Sequence, residues 1–257
     1  MLTNRRAILL ADCIGKVAAK AHRTASITSV STLFTDGASW QCAGVPGLRT
    51  EFPALAGRLL QEDAVATGQC VGLFFVDAKE AFYAILRTLA APIRESDEAV
   101  AYLFKHLKLS ATAMQELMRG FQGAPIFTTI DLPQATVTDV ASTYTATPFC
   151  MRSSTDLGIA LRGTRPEHLY ADIVFACAFQ RVLQILVDQL DTHDFRPRVP
   201  QVAPDDFTKA EADVRIPLPA LFDDFVVPVL APTPHQLHAN LATALRMTAT
   251  AFARRGM

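Results

Sequence analysis

Apolar positions along this chain fall into two rhythms, and one stretch shows where they meet. Val71-Gly-Leu-Phe-Phe-Val76 is an unbroken apolar run that ends in a single carboxylate, Asp77. A short apolar run bounded by turn signals predicts a buried strand, here over 71–77. Helical spacing takes over directly afterwards and predicts helices at about 78–90, 97–108 and 110–120, with Ser96-Asp97-Glu98 capping the middle one. A further helix at about 52–67 precedes the strand. Downstream, Gly163-Thr-Arg165-Pro166 breaks the chain, and a long apolar helix runs from Leu169 to about Leu190. Leu237, Leu241, Leu245 and Phe252 recur at helical period and predict a last helix over 234–254.

The stretches between are read from turn chemistry. Residues 4–23 predict a short strand, a turn and a helix, and the Ser-, Thr- and Gly-rich residues 24–50 predict a loop containing Gln41-Cys-Ala-Gly44-Val-Pro46-Gly47. From 121 to 165 the Thr- and Ser-rich alternation predicts short strands near 143–150 and 157–162. Residues 191–213, polar and rich in proline, predict an exposed excursion. Arg215 to Leu230 predicts a hairpin with Asp223-Asp224 at its tip, its strands confined to edges or bulges by Pro217, Pro219 and Pro228.

Composition narrows the class. Half of the 257 residues are hydrophobic, enough for a sizeable core in one large domain or two small ones. The apolar runs fall short of a membrane span, and Ala7–Ala11 is too short for a signal-peptide core, so the expectation is an intracellular chain with no membrane partner. Cys13, Cys42, Cys70, Cys150 and Cys177 are odd in number and widely spaced, which fits reduced thiols better than a disulfide or zinc framework. The net charge of −1 gives no global pull towards nucleic acid. It is unevenly spread: basic residues exceed acids in residues 1–60, and acids exceed bases in 205–224.

Two acidic elements in apolar frames carry the candidate chemistry. Taken singly, Asp77 reads as a helix cap and Asp223-Asp224 as turn chemistry. Taken together, a carboxylate at a strand end and a pair in a hairpin turn are what two divalent ions need in order to clamp an in-line phosphoryl displacement. Mg²⁺ needs only one or two protein carboxylates beside substrate phosphates. His235 and His238 could share a metal but read as surface residues, and Trp40 reads as packing beside the Gln41 loop.

At these residues the chain resembles the reverse transcriptase domain of non-LTR retroelements. Phe75-Val-Asp77-Ala-Lys-Glu-Ala81-Phe82-Tyr83 is similar to the family's first catalytic motif, and Leu221-Phe-Asp223-Asp224 to its Tyr-x-Asp-Asp hairpin. Gly163-Thr-Arg165-Pro166 ahead of Ala171-Asp-Ile-Val-Phe175 resembles the Gly-x-x-Gln-Gly segment and its long helix. Arg6-Ala-Ile8, Gly15-Lys16 and Gln41 to Gly47 resemble fingers motifs, and Phe252-Ala-Arg-Arg-Gly256-Met257 the approach to a further palm motif.

The resemblance implies an α/β (α+β) fold, a right-hand polymerase palm with partial fingers, its antiparallel sheet packed on helices and the thumb absent. Residues 1–70 would be partial fingers and 71–257 palm, with 191–213 inserted, together one reverse transcriptase domain fragment. It implies an RNA-directed DNA polymerase, transferring nucleotides from dNTP to a primer 3′-OH on an RNA or DNA template, with other retroelement domains needed. Asp77, Asp223 and Asp224 would be catalytic and hold two Mg²⁺ ions, with Mn²⁺ as a substitute. Ala78 would lend its carbonyl to a metal, and Phe82 would exclude a ribose 2′-OH. Arg6 and Lys16 would meet triphosphate or template phosphates, and Gly163 and Arg165 would lie beside template or base pair. Pro166-Glu167 replaces the family's Gln-Gly, and Leu221 its Tyr. Those departures leave open a catalytically inactive palm remnant that at most binds nucleic acid. A plain α/β scaffold or a generic Mg²⁺-dependent phosphohydrolase is the reading from outside the family.

Overall fold

The computed structural model describes residues 13–35, 39–43, 47–78, 81–84, 87–93, 97, 98, 100, 101, 105, 111–145, 148–150, 157–159, 163, 164, 168–203 and 206–255. It is a mixed α/β fold whose small sheet packs on helices. The helices are α1 (Cys13–Thr35), α2 (Glu51–Ala66), the single turn α3 (Ala81–Ala84), α4 (Ala111–Gln122), α5 (Gln134–Thr145), α6 (Ala171–Thr192) and α7 (Pro234–Ala253). The strands are β1 (Ser39–Gln41), β2 (Cys70–Asp77), β3 (Pro148–Cys150), β4 (Leu157–Ile159), β5 (Arg198–Ala203), β6 (Asp206–Arg215), β7 (Leu218–Leu221) and β8 (Asp224–Ala231).

The main sheet has the order β1-β7-β8-β2. β2, β8 and β7 are mutually antiparallel, while β1 adds to β7 in parallel. The segment before residue 70 therefore supplies one edge of the sheet that carries both acidic elements. β3 with β4, and β5 with β6, form two separate two-stranded ribbons.

The core is built on α6. It contains no Gly or Pro, and residues 173–180 are all buried, while Gln184 and Asp188 further along are exposed. Val174, Phe175, Val182, Leu183, Leu186 and Leu190 are fully buried, at about 1.5–3 kcal/mol for each such side chain removed from water. By length and mean hydropathy (1.5) α6 could cross a membrane, contrary to the expectation of no such segment, but 72% of that window is buried within the fold. Asp172 suits the positive end of its dipole and accepts from Arg23 on α1 at 2.6 Å. Phe179 meets Phe225 of β8 and Phe252 of α7 edge-on, at 5.8 and 5.9 Å between centroids.

α6 and α7 cover one face of the sheet and α2 lies on the other. A Cβ on Gly72 would fall 2.8 Å from Leu241 Cδ1, so the glycine lets α7 lie close on β2. On the opposite face, the position of a Cβ on Gly57 of α2 is 3.4 Å from Leu73 Cδ1. α7 starts cleanly, with Pro234 in its first turn and the Thr233 hydroxyl accepting from Gln236 N.

Several expectations fail for identifiable reasons. Residues 24–35 are not a loop but the second half of α1, in which Thr24, Ser26 and Ser31 return their hydroxyls to carbonyls four residues back. Ala19, Ser26, Val30 and Phe34 form its buried stripe. Residues 134–145 are helix rather than strand, because Thr136, Val137, Val140 and Tyr144 share a buried face; among the described residues of the two expected sites, 148–150 and 157–159 are strand. The excursion expected at 191–213 carries strands that the sequence did not show, the β5–β6 ribbon, fixed at its base by Arg196, Arg198 and Arg215 on Asp191 and Asp194; the exposure expected of it lies, over 201–212, outside what is described. Pro219 and Pro228 are in inner strands, but the β7–β8 register runs only through Ala220↔Phe225 and Leu221↔Asp224, so Pro228 lies past it. The helix expected over 78–90 is α3 and a 3-10 turn, Arg87–Leu89, within its described residues. The strand expected before residue 13 and most of the 97–108 helix lie outside the described residues.

Candidate functional site

The two acidic elements meet in the sheet. β2 and β8 pair along their whole length, and the last rung of the ladder is Asp77↔Asp224. Directly opposed residues of an antiparallel pair point to the same face, with Cα atoms about 4.5–5.5 Å apart. The rung before the last on that face is Phe75↔Val226, and then Leu73↔Pro228. Leu73 is beneath α2, whereas Phe75 is 72% exposed and both aspartates are exposed. That face is thus covered at one end and open at the end that carries the carboxylates.

Like charges placed opposite each other in a sheet destabilise it. Two carboxylates on one rung, in solvent, can share a hard divalent cation through their oxygens, and magnesium accepts one or two carboxylates with the rest from water or phosphate. Asp77 and Asp224 fit that donor set. Asp223, half-buried, is in the two-residue turn between β7 and β8 and not on the rung. Among the described residues, no three His, Cys, Asp or Glu side chains gather into a metal-sized cluster.

The turn that presents Asp223 and Asp224 is held against its own preference. Phe222, its first residue, has φ of 56°, a left-handed conformation that a two-residue hairpin favours and a bulky side chain does not. Such a residue costs on the order of 1–3 kcal/mol and persists only where its surroundings fix it. Here the fixing group is Gln41, at the end of β1 and only 1% exposed. Gln41 Oε1 accepts from Phe222 N at 2.7 Å, and Gln41 Nε2 donates to Phe222 O at 3.0 Å. The same Oε1 accepts from Ala43 N at 3.3 Å. One buried amide thereby grips both backbone groups of the strained residue.

Phe82 is the next support. Its ring stacks on Phe175 of α6 at 4.2 Å and lies 6.0 Å from the Phe222 ring, tilted by 57°. Its carbonyl accepts from Thr164 N at 2.6 Å, which ties the Gly163-Thr164 turn (Gly163 φ 82°) to α3. Phe82, Phe175, Gly163 and the 222–224 turn, far apart in sequence, are brought to one place. The Ala78 carbonyl accepts from Ala81 N at 3.2 Å.

The other expected residues stand elsewhere. Lys16 is exposed on α1. Arg6 and Arg165 lie outside the described residues, as do Pro166 and Glu167. His235 and His238 are exposed at the start of α7. Sequence reasoning placed Gln41 in a loop and missed its grip on the turn. Comparison with protein-family models, with curated proteins and with solved structures returns no match for this chain.

Proposed function

We propose that this chain is the palm of an RNA-directed DNA polymerase that transfers a nucleotide from dNTP to a primer 3′-OH. The observation that carries the reading is the Asp77↔Asp224 rung, a pair of exposed carboxylates whose mutual repulsion a bound cation would relieve. Asp77 and Asp224 would hold Mg²⁺, with Asp223 beside them in the turn. A divalent ion bound there would supply charge stabilisation to phosphoryl oxygens.

In this reading the chain's own residues position the reactants. The primer 3′-oxygen bonds to the α-phosphorus of the dNTP as the bond to the β-phosphate bridge breaks; pyrophosphate leaves, and the hydroxyl proton passes to solvent. Phe75, exposed on the face of the carboxylates, offers an apolar surface for a sugar or base. Phe82 is wedged between Phe175 and Phe222. Sugar selection by Phe82 rests on the resemblance alone, since its ring packs on the buried Phe175 of α6. The grip of Gln41 keeps Asp224 in register.

Primer extension on poly(rA)/oligo(dT) with Mg²⁺, by wild type and by Asp77→Asn and Asp224→Asn, tests this. Wild type is expected to extend the primer, and each variant to lose activity by about a hundredfold or more, the scale of a missing charge-stabilising group. Equal extension by all three, or none by wild type, overturns the proposal. Hybrid binding without extension leaves the inactive palm remnant in its place.

A further inference from the structure

Apart from the carboxylate rung, one edge of the main sheet is left open. β2 ends the strand order and, among the described residues, pairs with β8 on one side alone. Seven of its residues, Cys70-Val-Gly-Leu-Phe-Phe-Val76, carry no charge. Yet none of its eight residues is buried and Phe75 is 72% exposed, whereas β8 beside it buries five of its eight. Edge strands are normally very short or carry a Lys, a Pro or a bulge, which keeps other strands from adding to them. β2 has none of these guards: it runs for eight residues and keeps register with β8 throughout.

The helix on β2 overhangs the same edge. Leu241 and Leu237 of α7 stand over Gly72, 2.8 and 3.3 Å from where its Cβ would be. Leu245 follows Leu241 one turn later, about 40° further round the helix and away from the buried Ala244 and Ala251. The order round α7 is therefore core, then β2, then the space beyond β2. Leu245 is 51% exposed there. An apolar strand edge and an apolar helix flank thus border one open strip.

We propose that a second copy of this chain covers the strip, its β2 lying antiparallel to the first across a two-fold axis. The run 70–76 is its own complement. Centred on Leu73, the axis sets Leu73 against Leu73, Gly72 against Phe74, Val71 against Phe75 and Cys70 against Val76. All seven uncharged residues then meet uncharged partners, and the exposed Phe75 gains an aromatic–β-branched pair. Asp77, the one charge on the strand, falls beyond the run opposite the uncharged, exposed Gln69. No like charges meet. Shifting the pairing by two residues would instead set Asp77 against Val71, burying a charge beside an apolar partner. On the other face, Leu245 of each copy is covered as the two α7 helices come side by side. Each Asp77 is four residues from the axis, so the two carboxylate rungs stand roughly 27 Å apart, at about 3.4 Å per residue, at opposite ends of the shared ladder. The inference rests on the edge and not on the polymerase reading.

Sedimentation velocity of the full chain over a concentration series tests it. Wild type is expected to be a reversible dimer. Phe75→Lys, which puts the missing charge on the edge, should leave a monomer. Leu245→Glu should weaken association about tenfold or more, the scale of one leucine returned to water. Both side chains are exposed, and thermal melts check that both variants fold. Ile14→Lys, equally exposed but on α1 beside β1 at the other edge of the sheet, should leave the dimer unchanged. The register is read from Val76→Cys under oxidised glutathione. Cys70 is a free thiol, and roughly 20 Å of strand separates it from position 76 of its own chain, so a disulfide between the two positions must join two copies. Mass spectrometry should find that crosslink in the variant. Wild type that stays monomeric at its highest soluble concentration overturns the proposal and leaves the edge to a strand of another protein. Association unaltered in both Phe75→Lys and Leu245→Glu overturns it too, as does a Val76→Cys dimer in which Cys70 is not linked to position 76.

Discussion

Replacing Gln41 by methionine keeps the side chain's length and removes all three hydrogen bonds that its amide makes to Phe222 and Ala43. At about 1 kcal/mol for each, and with buried backbone groups left without partners, the loss is about 3 kcal/mol. For a chain of 257 residues that is a fall in Tm of roughly 6–12 °C if the turn keeps its shape, and less by whatever strain the turn sheds. The more telling effect is on the turn. With its grip gone, Phe222 is free to leave φ of 56°, which relieves strain on the order of 1–3 kcal/mol and moves Asp224 off the rung opposite Asp77. Mn²⁺ affinity, read by calorimetry, should therefore fall in Gln41→Met. Adding Phe222→Gly should restore it, because glycine holds a positive φ without help. Stability should stay low in the double variant, since the hydrogen bonds remain lost. Mn²⁺ affinity unaffected by Gln41→Met, or not restored by Phe222→Gly, refutes the reasoning.

Two further outcomes follow from the charges. Asp77→Asn removes one of two like charges on a rung and should raise stability in EDTA by roughly 0.2–1 kcal/mol, less at high salt; in saturating Mg²⁺ the wild type should melt higher than the variant, and a variant less stable in EDTA refutes the pairing. Arg196 grips Asp191 through two 2.6 Å hydrogen bonds, and these, with Arg215, hold its carboxyl below the usual carboxylate range. A depressed folded pKa stabilises the fold above the unfolded value, near 3.9, and that contribution disappears as pH falls through the folded pKa. Asp191→Asn should therefore cost about 2 kcal/mol at neutral pH, with the gap to wild type closing below about pH 4 in denaturant melts; a gap constant down to pH 2 refutes the assignment.

What could be read in advance was whatever one segment decides by itself. α2, β2, α6 and α7 announce themselves by unbroken periods, and the β7–β8 hairpin by its apolar flanks around Asp223-Asp224. α1 and α5 were hidden because Ser and Thr compete with the backbone and lower helix propensity. Their helices are settled by contacts from elsewhere: His22 on Thr136 at 3.2 Å, and the Tyr170 hydroxyl donating to Asp139 at 2.6 Å. The β5–β6 ribbon was hidden by proline and charge, and depends on arginines paired with aspartates up to 24 residues away. Tertiary partners decide such segments, and local composition cannot name the partner.

The candidate site divides along the same line. Asp77, Asp223 and Asp224 stand out as carboxylates that interrupt apolar runs, whereas Phe82 is singled out only by the resemblance. Gln41 and Phe222 do not, since neither residue type marks a positive φ or a buried amide grip. Yet these two explain the arrangement of the others. Nothing in the packing of the sheet asks for a phenylalanine in a left-handed turn, or for two exposed carboxylates on one rung. Each costs stability, and glycine at 222 with asparagine at 77 would remove both costs without touching α6. Two such costs within one turn of each other, the first held by the buried Gln41 amide, are what the proposed cation at the rung would offset. The repulsion between Asp77 and Asp224 is then the quantity to follow: a cation that removes it should tighten the hairpin and slow amide exchange at Phe225 and Val226, a response that a merely decorative pair of surface acids could not produce.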